Sequence, residues 1–559
     1  MAGYAGKLIG NGGNLISTVV ACGVSIGTTK DLQLDFGAVG DGIADDSPAF
    51  LRAADWINAN WSPTSAIELY IPAGTYKVGV QLAPGASFNY GTGNITNSMG
   101  FTRMGLDMLK LTNVQNVYIH GDPGLTTQII YANGLYFGGM KPGGSACNFG
   151  ACAGCASNEL ARVGNFISLW DCSCVSIENL SLDGNAQNCT LMGSWGECNG
   201  RQLAYDGINI INGHDITIED TKCMNFGRDG LMTRYTTSNP TNITLTNLEC
   251  ISNCRQGFSF TAGDNIVATN CKFNQTGSIF YNNPGSGMDI EPENGGTCIN
   301  SSFTNCEFKD NQFVGMISDN HYPDVANFIF DKCEFSATST AKDSWSIWPC
   351  RMINTVFDSC IIRGQFCHVA GTSPTDQIYF ERCTITDFDG SFSNQISGWN
   401  RYLMNFGASP PDNHYYTFVV CTFDIHHSLL IYTIPSGGLS HTERMYEGNK
   451  FIFHHSDMNS TVSYFGSTIN NVPYPSLGNF INSRFGGGNR FTETAPTSTP
   501  PGSGLYWIGI SLSSCGTSYD NSSYNLNDFP QDGVGGNPYT RICFNSNWCG
   551  AYAWQRGPF

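Results

Sequence analysis

Apolar and polar residues alternate with a period of two in short runs that recur along most of the chain. One series reads Asn116-Val117-Tyr118-Ile119, Val175-Ser176-Ile177-Glu178, Asp215-Ile216-Thr217-Ile218, Asn242-Ile243-Thr244-Leu245, Asn265-Ile266-Val267-Ala268, Asn327-Phe328-Ile329-Phe330 and Gln377-Ile378-Tyr379-Phe380. A second series opens on glycine: Gly207-Ile208-Asn209-Ile210, Gly230-Leu231-Met232-Thr233, Gly257-Phe258-Ser259-Phe260, Gly287-Met288-Asp289-Ile290 and Gly315-Met316-Ile317-Ser318. Val, Ile, Phe and Thr at alternate places between Gly and Asn turns predict strands. Cysteines keep step with them in Asn270-Cys271-Lys272-Phe273, Asn305-Cys306-Glu307-Phe308 and Lys332-Cys333-Glu334-Phe335. Cys223, Cys250, Cys360, Cys383 and Cys421 stand in similar contexts, and the intervals run from 21 residues (Cys250 to Cys271) to 38 (Cys383 to Cys421).

Two or three short strands per repeat, with no helical crossover, exclude a doubly wound sheet. A sandwich has no reason to carry one phase-locked cysteine per repeat. The pattern therefore predicts an all-β right-handed parallel β-helix, in which coils stack and bury one continuous core. Free cysteine packs as a small hydrophobe, so the cysteines are expected to form one interior column of reduced thiols, as suits folding in a reducing cytosol.

Near the start, Asp46 or Ser47 is placed to cap a helix with Pro48 in its first turn. That short helix would cover the open end of the solenoid and its unpaired strand edges. The expected divisions are an N-terminal segment over 1–30, a cap and first coils over 31–115, a coil body carrying the site over 116–455, and a small C-terminal β region over 456–559. A Pro-, Thr-, Ser- and Gly-rich stretch at 494–504 reads as a linker. The region after it would serve trimerisation or glycan contact. An apolar stretch ending at Cys22 is interrupted by Asn11-Gly12-Gly13-Asn14, so no cleaved secretory segment is expected.

Composition narrows the function. Charged residues make up 13% and the balance is −18, which repels phosphate backbones and anionic lipid, so neither nucleic-acid nor membrane-surface binding is expected; no run of 18 apolar residues is present, so no membrane insertion is expected either. Hydrophobic residues at 41% exclude a disordered chain. The cysteines number 23, an odd count, and complete pairing within one chain is impossible. Cys147, Cys152 and Cys155, followed by Cys172, Cys174, Cys189 and Cys198, offer a C-x4-C-x2-C run of the kind that binds zinc. Without a second C-x2-C, a cysteine-rich inserted loop is the preferred reading, and neither a metal nor a cofactor is expected.

Aligning the second strand series on its glycine maps the two faces, because alternate strand residues point opposite ways. The outward positions are Asn209, Met232, Ser259, Asp289 and Ile317, and two residues on, Ile211, Arg234, Thr261, Glu291 and Asp319. Glu291 and Asp319 fall in one column on neighbouring coils, with ~4.8 Å between strands. Asp289 precedes Glu291 on the same face. Stacked carboxylates repel, and in a chain this poor in charge they point to acid–base chemistry. Glu291 and Asp319 are the expected main pair, with Asp289 assisting. Arg228, Asp229 and Arg234 on preceding coils, Glu293 in the adjoining turn, and His321 are candidate sugar ligands. Trp345 and Trp348 offer flat faces suited to pyranose rings. There is no H-E-x-x-H, phosphate loop or G-x-S-x-G elbow.

The segment Asp35-Phe36-Gly37-Ala38-Val39-Gly40-Asp41-Gly42-Ile43-Ala44-Asp45-Asp46, with the later Pro72-Ala73-Gly74-Thr75-Tyr76, resembles the opening of the pectate-lyase-like β-helix superfamily. That superfamily includes bacteriophage tailspike depolymerases. The motif spans about residues 31–78, and the looser coil pattern extends to about residue 455. Asp41, Asp45 and Asp46 are expected to be structural. The resemblance implies a homotrimeric tailspike in the virion tail, made in host cytoplasm and associated with other virion tail proteins. It would cleave a bacterial surface polysaccharide, capsule or O-antigen, by glycoside hydrolysis. A uronate-specific polysaccharide lyase, a non-catalytic glycan-binding adhesin and a secreted bacterial enzyme remain open, as does a site between subunits. The N-T-D, D-D, G-H-G and R-I-K combination of polygalacturonases is absent.

Overall fold

The computed structural model describes residues 21–147, 159–193, 203, 205–318, 325–337, 345–349, 352–364, 366–368, 377–386, 402–406, 415–425, 429–433, 443–447 and 449–454. It also describes the strands Ser476–Asn479, Ser483–Phe485, Arg490–Thr494, Gly509–Ser511, Arg541–Phe544 and Ala551–Gln555. Two compact units divide the chain at 1–312 and 313–559.

In the first unit the chain runs through three sheets in turn and repeats. A representative coil comprises Ile167–Trp170 in the third sheet, Ser173–Glu178 in the first and Leu180–Asp183 in the second. Each of these strands pairs in parallel with its counterpart in the next coil: Ile208–Ile211, His214–Glu219 and Lys222–Met224. Consecutive strands in sequence thus lie in different sheets, which is the topology of a parallel β-helix. Period-two alternation fills the interior. Rows such as Val117, Val175, Ile216, Ile243 and Ile266 share one register and are fully buried.

The corner between the first-sheet and second-sheet strands of each coil is a single left-handed residue. Asn179, Asp220, Asn247, Asn270 and Asn305 hold φ of 57°, 44°, 52°, 55° and 52°. Asn and Asp tolerate this region because their short polar side chains bond locally. In the second unit the same corner is made by Lys332, Ser359, Arg382 and Val420, with φ of 54°, 54°, 52° and 58°.

The cysteines obey this geometry in two columns rather than one, which corrects the sequence expectation. Cys271 and Cys306 in the first unit, and Cys333, Cys360, Cys383 and Cys421 in the second, each follow a left-handed corner residue. Cys223 and Cys250 lie two residues further on, inside the second-sheet strands, in register with each other. At the corner a thiol does what leucine cannot: it donates to a strand carbonyl. Cys360 reaches Phe330 O, Cys383 reaches Phe357 O and Cys421 reaches Phe380 O, each at 3.2 Å. Thr221, at the equivalent corner, donates its hydroxyl to Glu219 O at 2.9 Å. Among the described residues twelve cysteines are free, while Cys22 and Cys174 form a disulfide. Cys147 is also disulfide-bonded; Cys152, Cys155 and Cys198 lie outside the described residues.

Phe330, Phe357, Phe380 and Phe418 stack through the second unit at 4.7, 4.8 and 5.0 Å between ring centroids. Its parallel ladder extends past the point where the sequence repeat fades, pairing Lys450–His454 with Arg490–Thr494. Arg541–Phe544, Ala551–Gln555 and Gly509–Ser511 then pair antiparallel, a small β region as expected. The linker at 494–504 lies, apart from Thr494, outside the described residues.

The helix Ser47–Asn60 buries Ala49, Phe50, Leu51, Ala53, Ala54 and Ile57. Phe50 meets Phe166 edge-on at 5.4 Å, so the helix closes on the core end of the first unit. Asp46 occupies the N-cap position but its side chain does not cap the helix. Its carboxylate turns back to accept Val39 N at 2.7 Å and Gly40 N at 3.3 Å. Asp41 accepts Ile43 N and Ala44 N, both at 2.8 Å, and Asp45 accepts Ser47 N at 3.0 Å. Ser47 accepts Gly79 N at 2.9 Å. All three acids of the opening motif therefore hold backbone turns.

Candidate functional site

The third sheet of the first unit is built from Leu109–Thr112, Ile167–Trp170, Ile208–Ile211, Asp229–Arg234, Gln256–Phe260 and Ser286–Ile290, paired in parallel one after another. The glycine that opens each repeat is a packing requirement. A Cβ on Gly207 would lie 2.9 Å from Cys223 Cβ, and one on Gly230 would lie 2.7 Å from Cys250 Cβ. Only hydrogen lets the third sheet approach the second so closely.

Inside and outside fall as alternation requires. Ile208, Leu231, Phe258 and Met288 share an inward register row and are wholly buried. The outward row is Lys110, Ser168, Asn209, Met232, Ser259 and Asp289. From Ser168 to Asp289 this row is also shielded from solvent: Ser259 is 1% and Asp289 6% exposed.

Two arginines explain part of the shielding. Arg228 reaches back one coil to Asp206, with Nε 2.6 Å from Oδ1 and a second bond from the guanidinium to Oδ2. The same group lies 3.4 Å from Met232 Sδ. Arg255 repeats the move one coil later. Its Nε donates to Asp229 Oδ1 at 2.8 Å, its other nitrogen to Oδ2, and it also contacts Ser259 Oγ at 3.2 Å. Bidentate forks of this kind satisfy both partners, which buried charges demand. The third coil changes the chemistry. Gln256 takes the register place of Asp229, and its amide donates to Asp289 Oδ2 on the following coil.

The electrostatics follow the burial. Burial opposes the charge on Arg228, but Asp206, Asp229 and Glu293 outweigh it and hold the guanidinium above its ordinary pKa. Burial raises Asp229, with Arg255 and Arg228 pulling it back and Asp206 pushing it further up.

Asp289 and Glu291 stand on this sheet two residues apart. Glu291 lies just past the strand end, half-buried, its N–H bonded to Phe260 O at 3.1 Å. Glu293 enters the turn, with its N–H on Thr261 O at 3.0 Å, and its charge acts on Arg228. Arg228 and Asp229, expected as sugar ligands, are instead committed to buried ion pairs. Arg234 is half-buried and its Nε has no hydrogen-bond partner among the described residues. Asp319 and His321 lie outside the described residues. In the second unit Trp345 is buried and packs on Val314. Trp348 is half-buried, its ring 5.8 Å from Phe313.

Asp206, Arg255 and Gln256 were not singled out from sequence. Their signal lies in the two residues before each glycine: Tyr205-Asp206-Gly207, Arg228-Asp229-Gly230 and Arg255-Gln256-Gly257.

No family model matches the chain, and no curated protein matches it. It is similar to several solved structures. ORF18 of Geobacillus virus E2 shares 14% identity at a TM-score of 0.40, over 77% of this chain and 61% of that one. The A-module of the mannuronan C-5 epimerase AlgE6 of Azotobacter vinelandii shares 14% at 0.42, over 84% and 100%. The tailspike gp49 of Acinetobacter baumannii bacteriophage Fri1, a capsular polysaccharide depolymerase, shares 13% at 0.41, over 86% and 67%. The parallel β-helix assignment rests on the strand pairing of this chain and not on these likenesses.

Proposed function

We propose that the protein is a polysaccharide depolymerase acting on a bacterial surface glycan by acid–base glycoside hydrolysis. The observation that carries this reading is the placement of Asp289. The preceding coils pair Asp206 and Asp229 with arginines, and Asp289, one coil on, accepts a hydrogen bond from the amide of Gln256. Glu291 comes two residues on, just past the strand end, where strand alternation would turn it to the same side, and glycoside hydrolysis uses such paired carboxyl groups, one giving a proton and the other activating water or attacking. Alternate residues of extended backbone are ~6.5–7 Å apart, a spacing from which side-chain rotamers reach either the ~5–5.5 Å of retaining or the ~6.5–9.5 Å of inverting enzymes. Arg228, kept charged, sets the local field. The resemblance of the opening motif extends the proposal to a homotrimeric tailspike of a virion.

The test is viscosity loss and new reducing ends on a panel of purified capsular and O-antigen polysaccharides. Activity lost in both Asp289→Asn and Glu291→Gln supports the reading. Glycan binding without shortening would make the protein an adhesin. One observation favours a second reading: Arg234, with its unpartnered Nε, is suited to neutralising a uronate as a lyase requires. Absorbance from an unsaturated uronate product would then accompany chain cleavage.

A further inference from the structure

Along the first sheet a left-handed residue recurs at one register position: Asn116, Cys174, Asp215, Asn242 and Asn265, with φ of 58°, 53°, 55°, 55° and 61°. Asparagine suits this place for two reasons. It tolerates the left-handed region, and its amide bonds the rung before it. Asn265 Nδ2 donates to Asn242 Oδ1 at 2.8 Å, and Asn242 Nδ2 to Asp215 Oδ1 at 2.9 Å. Two adjacent rungs depart from asparagine: Asp215, which accepts from Asn242 but has no amide to pass on, and Cys174.

Cys174 lacks the amide that bonds the rung before it, and its sulfur is instead joined to another part of the chain. A third residue joins from far along the chain. Cys22, 152 residues away, meets Cys174 with Cα atoms 5.8 Å apart. The two sulfurs and an Asp215 carboxylate oxygen all lie within 4.8 Å of one another. Asp215 Oδ2 is held by His214 Nδ1 at 2.9 Å, which orients the carboxylate as outer partners orient metal ligands. Cys22 is exposed and Cys174 and Asp215 are half-buried, so both a thiol reductant and an ion can reach them. The interior thiols differ: eleven of the twelve free cysteines are buried.

We infer that Cys22, Cys174 and Asp215 form a zinc site when the cysteines are reduced, and that the disulfide is its alternative, metal-free state. Two thiolates and a carboxylate are ligands that zinc accepts in a four-coordinate shell completed by water. The exchange balances with a low-molecular-weight thiol as reductant. The sulfur–sulfur bond takes two electrons from two RSH, giving two cysteine thiols and RSSR; zinc binding then releases two protons as the thiols become thiolates. The site would fasten residues 21–23 to the solenoid wall in a reducing compartment, and the disulfide would do so in an oxidising one.

The experiment titrates the full chain with cobalt(II) after phosphine reduction, reading thiolate-to-cobalt charge-transfer absorption, with zinc added last to displace it. Cys174→Asn and Asp215→Asn are the variants, since each restores the asparagine ladder and leaves the fold in place. Reduced wild type should take up one equivalent more than Cys174→Asn, which also subtracts binding by other cysteines. Asp215→Asn should bind at least ~10-fold more weakly, given the loss seen when even outer partners are removed. Without reductant the wild type should show the Cys22–Cys174 peptide by mass spectrometry and no extra uptake. Equal cobalt uptake by reduced wild type and Cys174→Asn would overturn the site. Unchanged affinity in Asp215→Asn would overturn the three-ligand set, and cobalt that zinc fails to displace would overturn the assignment to zinc.

Discussion

Arg255 reaches back across one coil to Asp229, with Nε 2.8 Å from Oδ1 and both residues almost wholly enclosed. This fork and its counterpart, Arg228 on Asp206, form a ladder of buried charge along the outer face of the third sheet. The ladder ends at Gln256, which is neutral and turns to Asp289.

Removing one member of the fork should cost far more than removing both. Arg255→Met leaves Asp229 buried beside Arg228 alone, and a broken buried pair typically costs about 3–5 kcal/mol. The double change Arg255→Met with Asp229→Leu should recover most of that loss. Urea midpoints of the two variants check this, and equal midpoints would show that the fork contributes little.

Asp289→Asn and Glu291→Gln should each lower turnover on the glycan substrate by ~10²–10⁴-fold, the usual effect of losing a general acid or base. Circular dichroism and glycan binding should be nearly unchanged, because neither substitution alters side-chain volume. Turnover above a tenth of wild type in both variants would move the chemistry elsewhere, Asp319 being the next candidate.

Stability should fall in alkali. Burial pushes Cys172 and Cys189 up to about 11 and Cys254 up to about 12, from an ordinary value of 9.0. Raised pKa values mean the folded state keeps protons that the unfolded chain releases. This contribution is fully present below pH 9 and is lost as pH climbs toward 11–12, by up to about 1.4 kcal/mol per pH unit for each thiol. Urea midpoints at pH 8, 9, 10 and 11 should decline beyond 9; a flat series would show that these thiols titrate freely.

The chain should associate as a homotrimer. Sedimentation equilibrium should return three times the 60.6 kDa of one chain, and a monomer mass would count against the tailspike reading.

Much of the architecture was legible because a strand's period is two and a coil must repeat. Alternation alone sorted Ile208, Leu231, Phe258 and Met288 inward and Asn209, Met232, Ser259 and Asp289 outward. The cysteine contexts marked the corners, although their division into two columns depended on where each left-handed turn fell. What alternation could not show is that the outward row is itself covered. Arg228 and Arg255 reach partners 22 and 26 residues earlier, an interval that varies with loop length, so no fixed spacing announces the pairs. Cys22 and Cys174 are further apart still. The local pattern determined which way each side chain points, because that depends on backbone parity. Which outward side chains meet, and which acid faces Gln256, was decided only by the stacking of coils, which places residues distant in sequence about one strand spacing apart.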